Sequence, residues 1–158
     1  MPAPAPILMH YPLFLNLTSQ PVVVIGAGAV AARKIRSLLA AGASVTVISP
    51  KAYRLPKAVR WLRRRYRRGD LAGARLVVAA TDDQGVNRQV CAEATRRKLL
   101  VNCVAPPSAG NFIVPAVARR GRLTVAVSTG GVSPALAKRL RRDLERILRK
   151  DYPQLRDD

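Results

Sequence analysis

The sequence predicts an α/β fold built on a doubly wound parallel sheet. Its apolar runs are short and rich in β-branched residues, and amphipathic segments of helix length separate several of them. A glycine-rich turn directly follows the first run. Strands that alternate with helices favour parallel pairing, because the crossover helices then cover both faces of the sheet. At 158 residues, 49% of them apolar, the chain is long enough for one substantial core with a short appendage.

Six apolar runs predict strands, and three amphipathic segments predict helices. The predicted strands are residues 22–25, 45–48, 59–66, 76–80, 100–104 and 123–128. The predicted helices are residues 29–41, residues 86–98 and a last one that begins at Ser133-Pro134. Gly42 is a usual residue to end the first helix, and Thr81-Asp82-Asp83 is a start signal for the second. Ser133 supplies a cap and Pro134 the first helical position of the third.

The third run carries four arginines, Arg60, Arg63, Arg64 and Arg65. A central strand of a parallel sheet is covered on both faces and tolerates little charge, so this strand belongs at the edge. The strand order 3-2-1-4-5 of mononucleotide-binding sheets has strand three there. The arginines then protect the edge against pairing with another chain.

The last helix has an apolar stripe formed by Leu136, Leu140, Leu144, Ile147 and Leu148. Such a stripe needs a partner surface, which either this domain or a second subunit supplies. We therefore divide the chain into a nucleotide-binding domain, residues 1–112, and a C-terminal dimerisation segment, residues 113–158.

The turn after the first strand carries the most specific local signal, Gly26-Ala27-Gly28-Ala29-Val30-Ala31. Gly26 permits the tight turn, Gly28 lets a pyrophosphate approach the backbone, and Ala31 keeps the helix close to the strand. The helix N-terminus would hold the diphosphate, because its unpaired N–H groups and its dipole attract negative charge. The sequence therefore predicts dinucleotide binding by a Rossmann-like domain.

The second strand ends in Ser49-Pro50-Lys51 without the carboxylate that usually holds the adenosine ribose. Ser49 and the backbone of Pro50 and Lys51 still allow contact with the ribose of NAD. Lys51 and Arg54 would tolerate a 2′-phosphate, so NADP remains open.

Three further loops are predicted at the carboxyl edge of the same sheet. Thr81 and Asp82 follow the fourth strand and would line the cofactor cleft, whereas Asp83 is expected to cap the next helix. The loop 101–107 follows the fifth strand, and the loop 128–134 follows the sixth. The last loop combines hydroxyls, two glycines and a helix N-terminus, which suits a carboxylate or a phosphate, although an ordinary capped loop has the same composition.

The formal net charge is +19, which suggests an anionic partner such as nucleic acid, a membrane surface or a polycarboxylate, or only arginine-rich solvated faces. The cluster from Arg63 to Arg68 lacks a stacking-platform motif, so we expect no specific nucleic-acid binding. No apolar run reaches the roughly 18 residues of a membrane span, and residues 1–6 do not resemble a signal peptide. Cys91 and Cys103 fall in a predicted helix and a buried strand, which favours small core residues and a reducing cytoplasm.

Several segments, taken in order, closely resemble the precorrin-2 dehydrogenases, which often are also sirohydrochlorin ferrochelatases and form the N-terminal module of sirohaem synthases. The segments are Tyr11-Pro12-Leu13-Phe14, Gly26-Ala27-Gly28-Ala29-Val30-Ala31-Ala32-Arg33-Lys34, Ala79-Ala80-Thr81-Asp82-Asp83 with Asn87, Val101-Asn102, Asn111-Phe112-Ile113-Val114-Pro115, and Val125-Ala126-Val127-Ser128-Thr129-Gly130-Gly131 with Ser133-Pro134. The resemblance extends from about Tyr11 to about Leu148. The joint occurrence of these segments is far more specific than the glycine turn alone.

The resemblance implies oxidation of precorrin-2 to sirohydrochlorin, with NAD as hydride acceptor, in a homodimer whose C-terminal portions interlock. With the predictions above, the candidate cofactor-binding residues are Gly26, Gly28, Ala29, Val30, Ser49, Pro50, Lys51, Thr81, Asp82 and Val104. The candidate tetrapyrrole-binding residues are Asn102, Asn111, Ser128, Thr129, Gly130 and Gly131. No metal ligand is predicted.

One position departs from the family, because Ala105 stands where family members carry an aspartate implicated in dehydrogenation and in metal insertion. Alanine cannot accept a proton or ligate iron, so the dehydrogenase is expected to be weakened or inactive. His10 is the one histidine and a candidate for a replacement base; the alternative interpretation is an exposed residue in an N-terminal arm. Ferrochelatase activity is doubtful, because only about ten residues follow the Leu140 to Leu148 helix. A non-catalytic protein that binds NAD and a tetrapyrrole is the alternative.

Overall fold

The computed structural model describes residues 10–52 and 54–155, which form two compact units. One unit is Leu13–Ile113, and the other contains residues 10–12 and 114–155. The expectation about a signal peptide concerns residues outside the described part. The predicted boundary between residues 112 and 113 lies one residue from this division, and residues 10–12 group with the second unit.

A five-stranded parallel sheet forms the centre of the first unit. Its strands are β1 Pro21–Ile25, β2 Ser44–Ile48, β3 Arg60–Leu62, β4 Leu76–Ala79 and β5 Leu100–Cys103. The strand order is β3-β2-β1-β4-β5, and all four neighbouring pairs are parallel. This confirms the predicted order and the edge position of the arginine-rich strand.

Helix α1, Ala29–Ala40, connects β1 to β2, and helix α2, Gln84–Arg96, connects β4 to β5. A short 3₁₀ turn, Pro107–Ala109, follows β5. Helix α2 begins two residues before the predicted start, because the Asp83 carboxylate accepts hydrogen bonds from the N–H groups of Gly85 and Val86. The cap predicted for Asp83 is therefore confirmed.

The core lies on both faces of the sheet, because successive strand residues alternate between them. Val22 and Val24 of β1 pack on one face with Ile35 of α1. Val23 and Ile25 contribute to the other cluster, which contains Val90 of α2. The doubly wound α/β fold predicted from the alternation is thus confirmed.

Cys91 and Cys103 are free and buried, in agreement with the predicted core role. Burial raises the pKa of the Cys91 thiol to about 12, and the neighbouring Cys103 adds to the effect. The Cys91 thiol is therefore protonated at neutral pH, as a small apolar side chain would require.

The third predicted strand is much shorter than expected, because only residues 60–62 of 59–66 pair with β2. After Leu62 the chain leaves the sheet, and the side chains of the following residues form hydrogen bonds with groups outside β2. Arg64 forms two hydrogen bonds of 2.7 Å with the carboxylate of Asp70, and the Tyr66 hydroxyl donates to Glu93 of α2 at 2.5 Å. The strands predicted to end at Ala80, Val104 and Ser128 each end one residue earlier.

The second unit contains a β-hairpin and a long helix. Strand β6 is Ala116–Arg120, strand β7 is Leu123–Val127, and helix α3 is Pro134–Asp151. The strands pair antiparallel through a two-residue turn in which Gly121 has a φ of 51°. The side chain of Ser133 caps α3 by accepting from the N–H of Leu136, and α3 packs mainly against β6.

The prediction that the last strand joins the parallel sheet was wrong, because β7 pairs with β6 instead. Strand β6 was not predicted at all. The loop 128–134 therefore does not follow a strand of the parallel sheet, and the reason for expecting it at that sheet edge no longer holds. No helix in the part of the chain that the structure describes is both long and apolar enough to cross a bilayer.

Candidate functional site

Gly26 makes the sharp turn out of β1. Its φ is +105°, and a Cβ atom at this position would lie 2.3 Å from the carbonyl oxygen of Ala80. Only glycine permits this conformation next to the end of β4. The turn therefore draws the loops after β1 and β4 together, as the predicted tight turn requires.

Gly28 has a different role, because a Cβ atom there would meet nothing within 4 Å. It is the N-cap of α1 and supplies no side-chain cap, and the first turn of the helix has no acidic residue. Ala29 and Val30 are exposed at the same place. By contrast, Asp83 caps α2 and Ser133 caps α3. Among the described residues, no side chain caps the first N–H groups of α1, and Gly28 leaves open space beside them, which fits the diphosphate of a dinucleotide.

The turn after β2 lies beside Gly26, whose N–H donates to the carbonyl of Ile48 at 2.9 Å. Ser49 is buried, and its hydroxyl donates to the carbonyl of Lys51 at 2.6 Å. The indole N–H of Trp61 donates to the carbonyl of Ser49 at 3.0 Å. Pro50 and Lys51 are exposed. The hydroxyl of Ser49 thus supports the turn and can contact a ribose only as an acceptor.

Asn87 connects the loops after β4 and β5. It is fully buried, and its Oδ1 accepts the backbone N–H of Thr81 at 3.0 Å. Its Nδ2 donates to the carbonyls of Thr81 and Ala105, both at 3.0 Å. One amide group therefore sets the spacing of two loops at the carboxyl edge of the sheet, and Asp82 in the loop after β4 is exposed. Val104, the last predicted cofactor residue, donates its N–H to the carbonyl of Ala79 at 2.9 Å.

The role of Asn87 was missing from the predicted site, although the sequence contains a signal for it. Asn87 precedes Val90, Cys91 and Ala94 at intervals of three, four and seven residues, and all four are buried on α2. A polar residue within an apolar helical stripe must satisfy its hydrogen bonds inside the protein. Here its partners are backbone groups of the candidate site.

Asn102 and Asn111 lie near the same edge, and both side chains bond to backbone. Asn111 accepts from the N–H of Val101 and donates to the carbonyl of Leu99, each at 2.8 Å. Asn102 donates to the carbonyl of Phe112 at 3.1 Å. These bonds fasten the segment after the 3₁₀ turn to β5. Their predicted contacts with a tetrapyrrole stay predictions.

The remaining predicted substrate residues lie in the second unit. Thr129 accepts the N–H of Ser133 on its hydroxyl at 3.1 Å, and Ser128 accepts the N–H of Gly130 at 3.1 Å. Gly130 and Gly131 have φ values of 63° and 86°. His10 also belongs to this unit and is exposed. Among the residues that the structure describes, no three His, Cys, Asp or Glu side chains form a cluster able to hold a metal ion.

Comparisons with known proteins agree with this geometry. Residues 13–116 match a family of NAD(P)-binding domains, and residues 120–147 match the central region of sirohaem biosynthesis proteins. The solved structure of SirC, a precorrin-2 dehydrogenase, superposes with a TM-score of 0.80 at 34% identity, covering 92% of this chain and 74% of SirC. This chain belongs to the precorrin-2 dehydrogenase family. The resemblance predicted from the sequence motifs is confirmed, and so is the oxidoreductase class at the level of the family.

Other members of the family are longer. The chain is 43% identical over 150 residues to a sirohaem synthase of Methylobacillus flagellatus. The alignment covers 91% of this chain and 32% of the relative. It is 44% identical over 142 residues to a sirohaem synthase of Methylococcus capsulatus. That alignment covers 86% of this chain and 30% of the relative. The chain thus spans about a third of these relatives. The family match over residues 13–116 confirms an NAD(P)-binding domain.

Ala105, the position where the resemblance predicts an aspartate, lies in the loop after β5. It is half-buried, and its carbonyl accepts the hydrogen bond from Asn87. A cis peptide bond links it to Pro106. Its methyl group offers no proton acceptor, so any base for the family reaction must come from another group.

Proposed function

We propose that this chain is a precorrin-2 dehydrogenase that oxidises precorrin-2 to sirohydrochlorin with NAD. The observation that carries the proposal is the uncapped start of α1 after Gly28, which fits a diphosphate within a fold shared with SirC. NAD, when bound, accepts a hydride from the substrate, and the oxidised macrocycle also releases a proton.

The residues of the first unit bind and orient the dinucleotide. Backbone N–H groups of Ala29 and Val30 bind the diphosphate, and Gly28 leaves room for it. The backbone of Ser49, Pro50 and Lys51 contacts the adenosine ribose. Thr81, Asp82 and Val104 line the nicotinamide side. Asn87 keeps the two loops on that side at a constant spacing.

The substrate carries many carboxylates, and the charge of the chain suits it. The second unit has a surface depression of about 340 Å³ lined by Arg119, Arg120, Arg149 and Glu145. The buried Nε of Arg120 has no hydrogen-bond partner among the described residues. We propose that this unit supplies cations to the tetrapyrrole, together with the backbone of residues 128–131.

Ala105 sets the expected rate. A positioned general base contributes about 10²- to 10⁴-fold in many enzymes. Binding substrate and cofactor in register supplies a large part of the remaining acceleration. We therefore propose a slow dehydrogenase whose proton leaves to water, and no ferrochelatase activity.

The second unit supports a homodimer. On α3, Leu136, Leu140 and Ile147 are 46%, 40% and 45% exposed, and Val132 before the helix is 87% exposed. A helix face of this kind is stabilised when a second copy covers it. We also propose a cytoplasmic location, which the two reduced cysteines support.

The alternative function is a protein that binds NAD and a tetrapyrrole without turnover. Ala105 favours it, because the family aspartate is absent.

The deciding experiment follows anaerobic oxidation of precorrin-2 with NAD in the unchanged chain, in Ala105→Asp and in Ser108→Asp. Ser108 is exposed in the same loop, so its variant adds a carboxylate nearby but not at position 105. A slow enzyme shows measurable turnover that rises about 10²-fold or more in Ala105→Asp and not in Ser108→Asp. NAD binding without turnover in the unchanged chain supports the binder. Absence of NAD binding in all three contradicts both functions.

A further inference from the structure

We propose that the carboxylate of Asp82 takes up, through a water molecule, the proton that leaves the substrate during dehydrogenation. The inference rests on the dehydrogenase proposed above and names the group that replaces the family aspartate at Ala105. Asp82 lies in the loop between β4 and α2. This role concerns the proton and not the dinucleotide, so it differs from the cofactor contact predicted for the same residue.

The reaction has to remove one proton from the macrocycle. Two bonds to hydrogen break, and one hydrogen leaves as hydride with both electrons of its bond and becomes bonded to a carbon of the nicotinamide ring. The other leaves as a proton, and the electrons of its bond stay in the macrocycle as part of a new double bond. Water accepts this proton and passes it to Asp82, whose carboxylate forms an O–H bond and later releases the proton to solvent.

Only one carboxylate of the first unit is free for this task. The unit Leu13–Ile113 contains four acidic residues, Asp70, Asp82, Asp83 and Glu93. Asp70 is bonded to a guanidinium, Glu93 to a hydroxyl, a backbone N–H and a guanidinium, and Asp83 to two N–H groups of α2. Within residues 10–52 and 54–155, the Asp82 carboxylate forms no hydrogen bond and no ion pair, and the residue is exposed. Asp82 therefore has no structural partner that protonation would disrupt.

Asp82 also lies close to the position of the missing aspartate. The Nδ2 of Asn87 donates to the carbonyl oxygens of Thr81 and Ala105, each at 3.0 Å, so these two oxygens are neighbours. Asp82 directly follows Thr81 in the chain. A general base can act through one water molecule, which spans the distance that a direct contact would not.

The backbone on both sides of Asp82 is fixed. On one side, the N–H and the hydroxyl of Thr81 donate to Oδ1 of Asn87 at 3.0 and 2.8 Å. On the other side, Asp83 caps α2. A fixed backbone with a free carboxylate suits a proton acceptor, because the supporting bonds keep its position while its oxygens remain available.

The test compares Asp82→Asn with Asp83→Asn in anaerobic oxidation of precorrin-2. Asparagine is as good an N-cap as aspartate, so Asp83→Asn removes the same charge one residue away and keeps the cap. At saturating substrate and NAD, we expect turnover to fall about 10- to 100-fold in Asp82→Asn and less than about twofold in Asp83→Asn. Titration calorimetry should give a Kd for NAD within about threefold of that of the unchanged chain in both variants.

Two further measurements separate proton uptake from a structural effect. Formate should restore turnover in Asp82→Ala, whereas chloride at the same ionic strength should not, because formate supplies a carboxylate. In the Ala105→Asp background, Asp82→Asn should lower turnover by less than about threefold, because residue 105 then accepts the proton. Such non-additivity is expected for two groups that serve one step.

The outcomes distinguish this proposal from the one it rests on. Unchanged turnover in Asp82→Asn, or a loss that disappears at saturating NAD, overturns the role of Asp82 and leaves the proposed dehydrogenase standing. Equal restoration by formate and chloride, or an equal loss with and without Ala105→Asp, overturns it as well. If the unchanged chain binds NAD but does not oxidise precorrin-2, the proposed dehydrogenase is wrong and the proton path is wrong with it.

Discussion

The two units of the chain differ in how completely they bury their apolar surface. In Leu13–Ile113, both faces of the sheet carry a buried cluster, and β1, β2, β4 and β5 are almost entirely inside. In the described residues 114–155, the buried apolar side chains are Ala118, Ala137 and Leu148. The first unit completes its own core, whereas the second leaves part of an apolar helix face in water.

Their polar interactions differ in the same way. In the first unit, the buried carboxylate of Glu93 accepts from the Tyr66 hydroxyl, the N–H of Gly69 and the guanidinium of Arg97. The second unit relies on pairs along α3, such as Arg141 with Glu145 at 2.5 Å. Buried groups with several donors hold distant segments together, whereas pairs on a helix surface contribute little.

Truncation of a core leucine should give the largest effect. Leu71 is fully buried, so Leu71→Ala is expected to lower the free energy of unfolding by about 2 to 5 kcal/mol. Leu140 is 40% exposed, so Leu140→Ala is expected to cost under about 0.5 kcal/mol in a dilute monomer and to weaken dimer formation. Urea denaturation measures the free energy of unfolding of both variants, and analytical ultracentrifugation measures dimer formation. Equal losses of stability in the two variants would contradict the difference between the two units.

Loss of a buried carboxylate should come next. Glu93→Gln leaves donors from Tyr66, Gly69 and Arg97 imperfectly paired and is expected to cost about 1 to 3 kcal/mol. Glu145→Gln removes the same charge from the surface of α3 and should cost under about 1 kcal/mol. Thermal denaturation at pH 7 measures both, and a larger loss in the α3 variant would reverse our interpretation.

The pH dependence of stability should come mainly from the first unit. Burial raises the pKa of the Glu93 carboxyl, but hydrogen bonds from Tyr66, Gly69 and Arg97 outweigh it and leave the pKa below its ordinary value of 4.5. The hydrogen bond from Arg64 lowers the pKa of Asp70 below 3.8. Because these values lie below those of the unfolded chain, both carboxylates stabilise the fold above about pH 4.5, and this contribution is lost as the pH falls. Between about pH 3 and pH 7, the free energy of unfolding of Glu93→Gln should change less than that of the unchanged chain. Urea denaturation at several pH values measures this difference.

The helix caps should give the smallest difference. Asp83 accepts two backbone N–H groups and Ser133 accepts one. We expect Asp83→Ala to cost about 1 kcal/mol and Ser133→Ala about 0.5 kcal/mol. Hydrogen exchange in the first turns of α2 and α3 would show the loss locally, and unchanged exchange at Gly85 and Val86 would argue against the cap.

The first unit was largely predictable because its signals are local. Strand, turn and helix follow one another within residues 22–41, and each residue type suits its place. The edge strand was too long in the prediction, because Arg64 and Tyr66 bond to Asp70 and Glu93, and such distant partners cannot be read from a β-branched run. The hairpin of the second unit was missed for a similar reason, since the pattern of β7 does not say which strand it pairs with.

In the candidate site too, features set by local sequence could be predicted, and features set by distant contacts could not. The glycine turn could be predicted, because a backbone requirement selects Gly26 directly. The supporting bonds of Asn87 and Trp61 depend on groups from other strands and appear only in the fold.

The amide of Asn87 also has a thermodynamic consequence. A ligand that displaces the loop at Thr81 strains the bond to the carbonyl of Ala105, and a ligand at Ala105 strains the bonds to Thr81. If the dinucleotide contacts the first loop and the macrocycle the second, each must change the affinity for the other by the same factor. Removal of this one side chain would remove the side-chain hydrogen bonds that join Thr81 to Ala105 and so weaken the coupling between the two ligands.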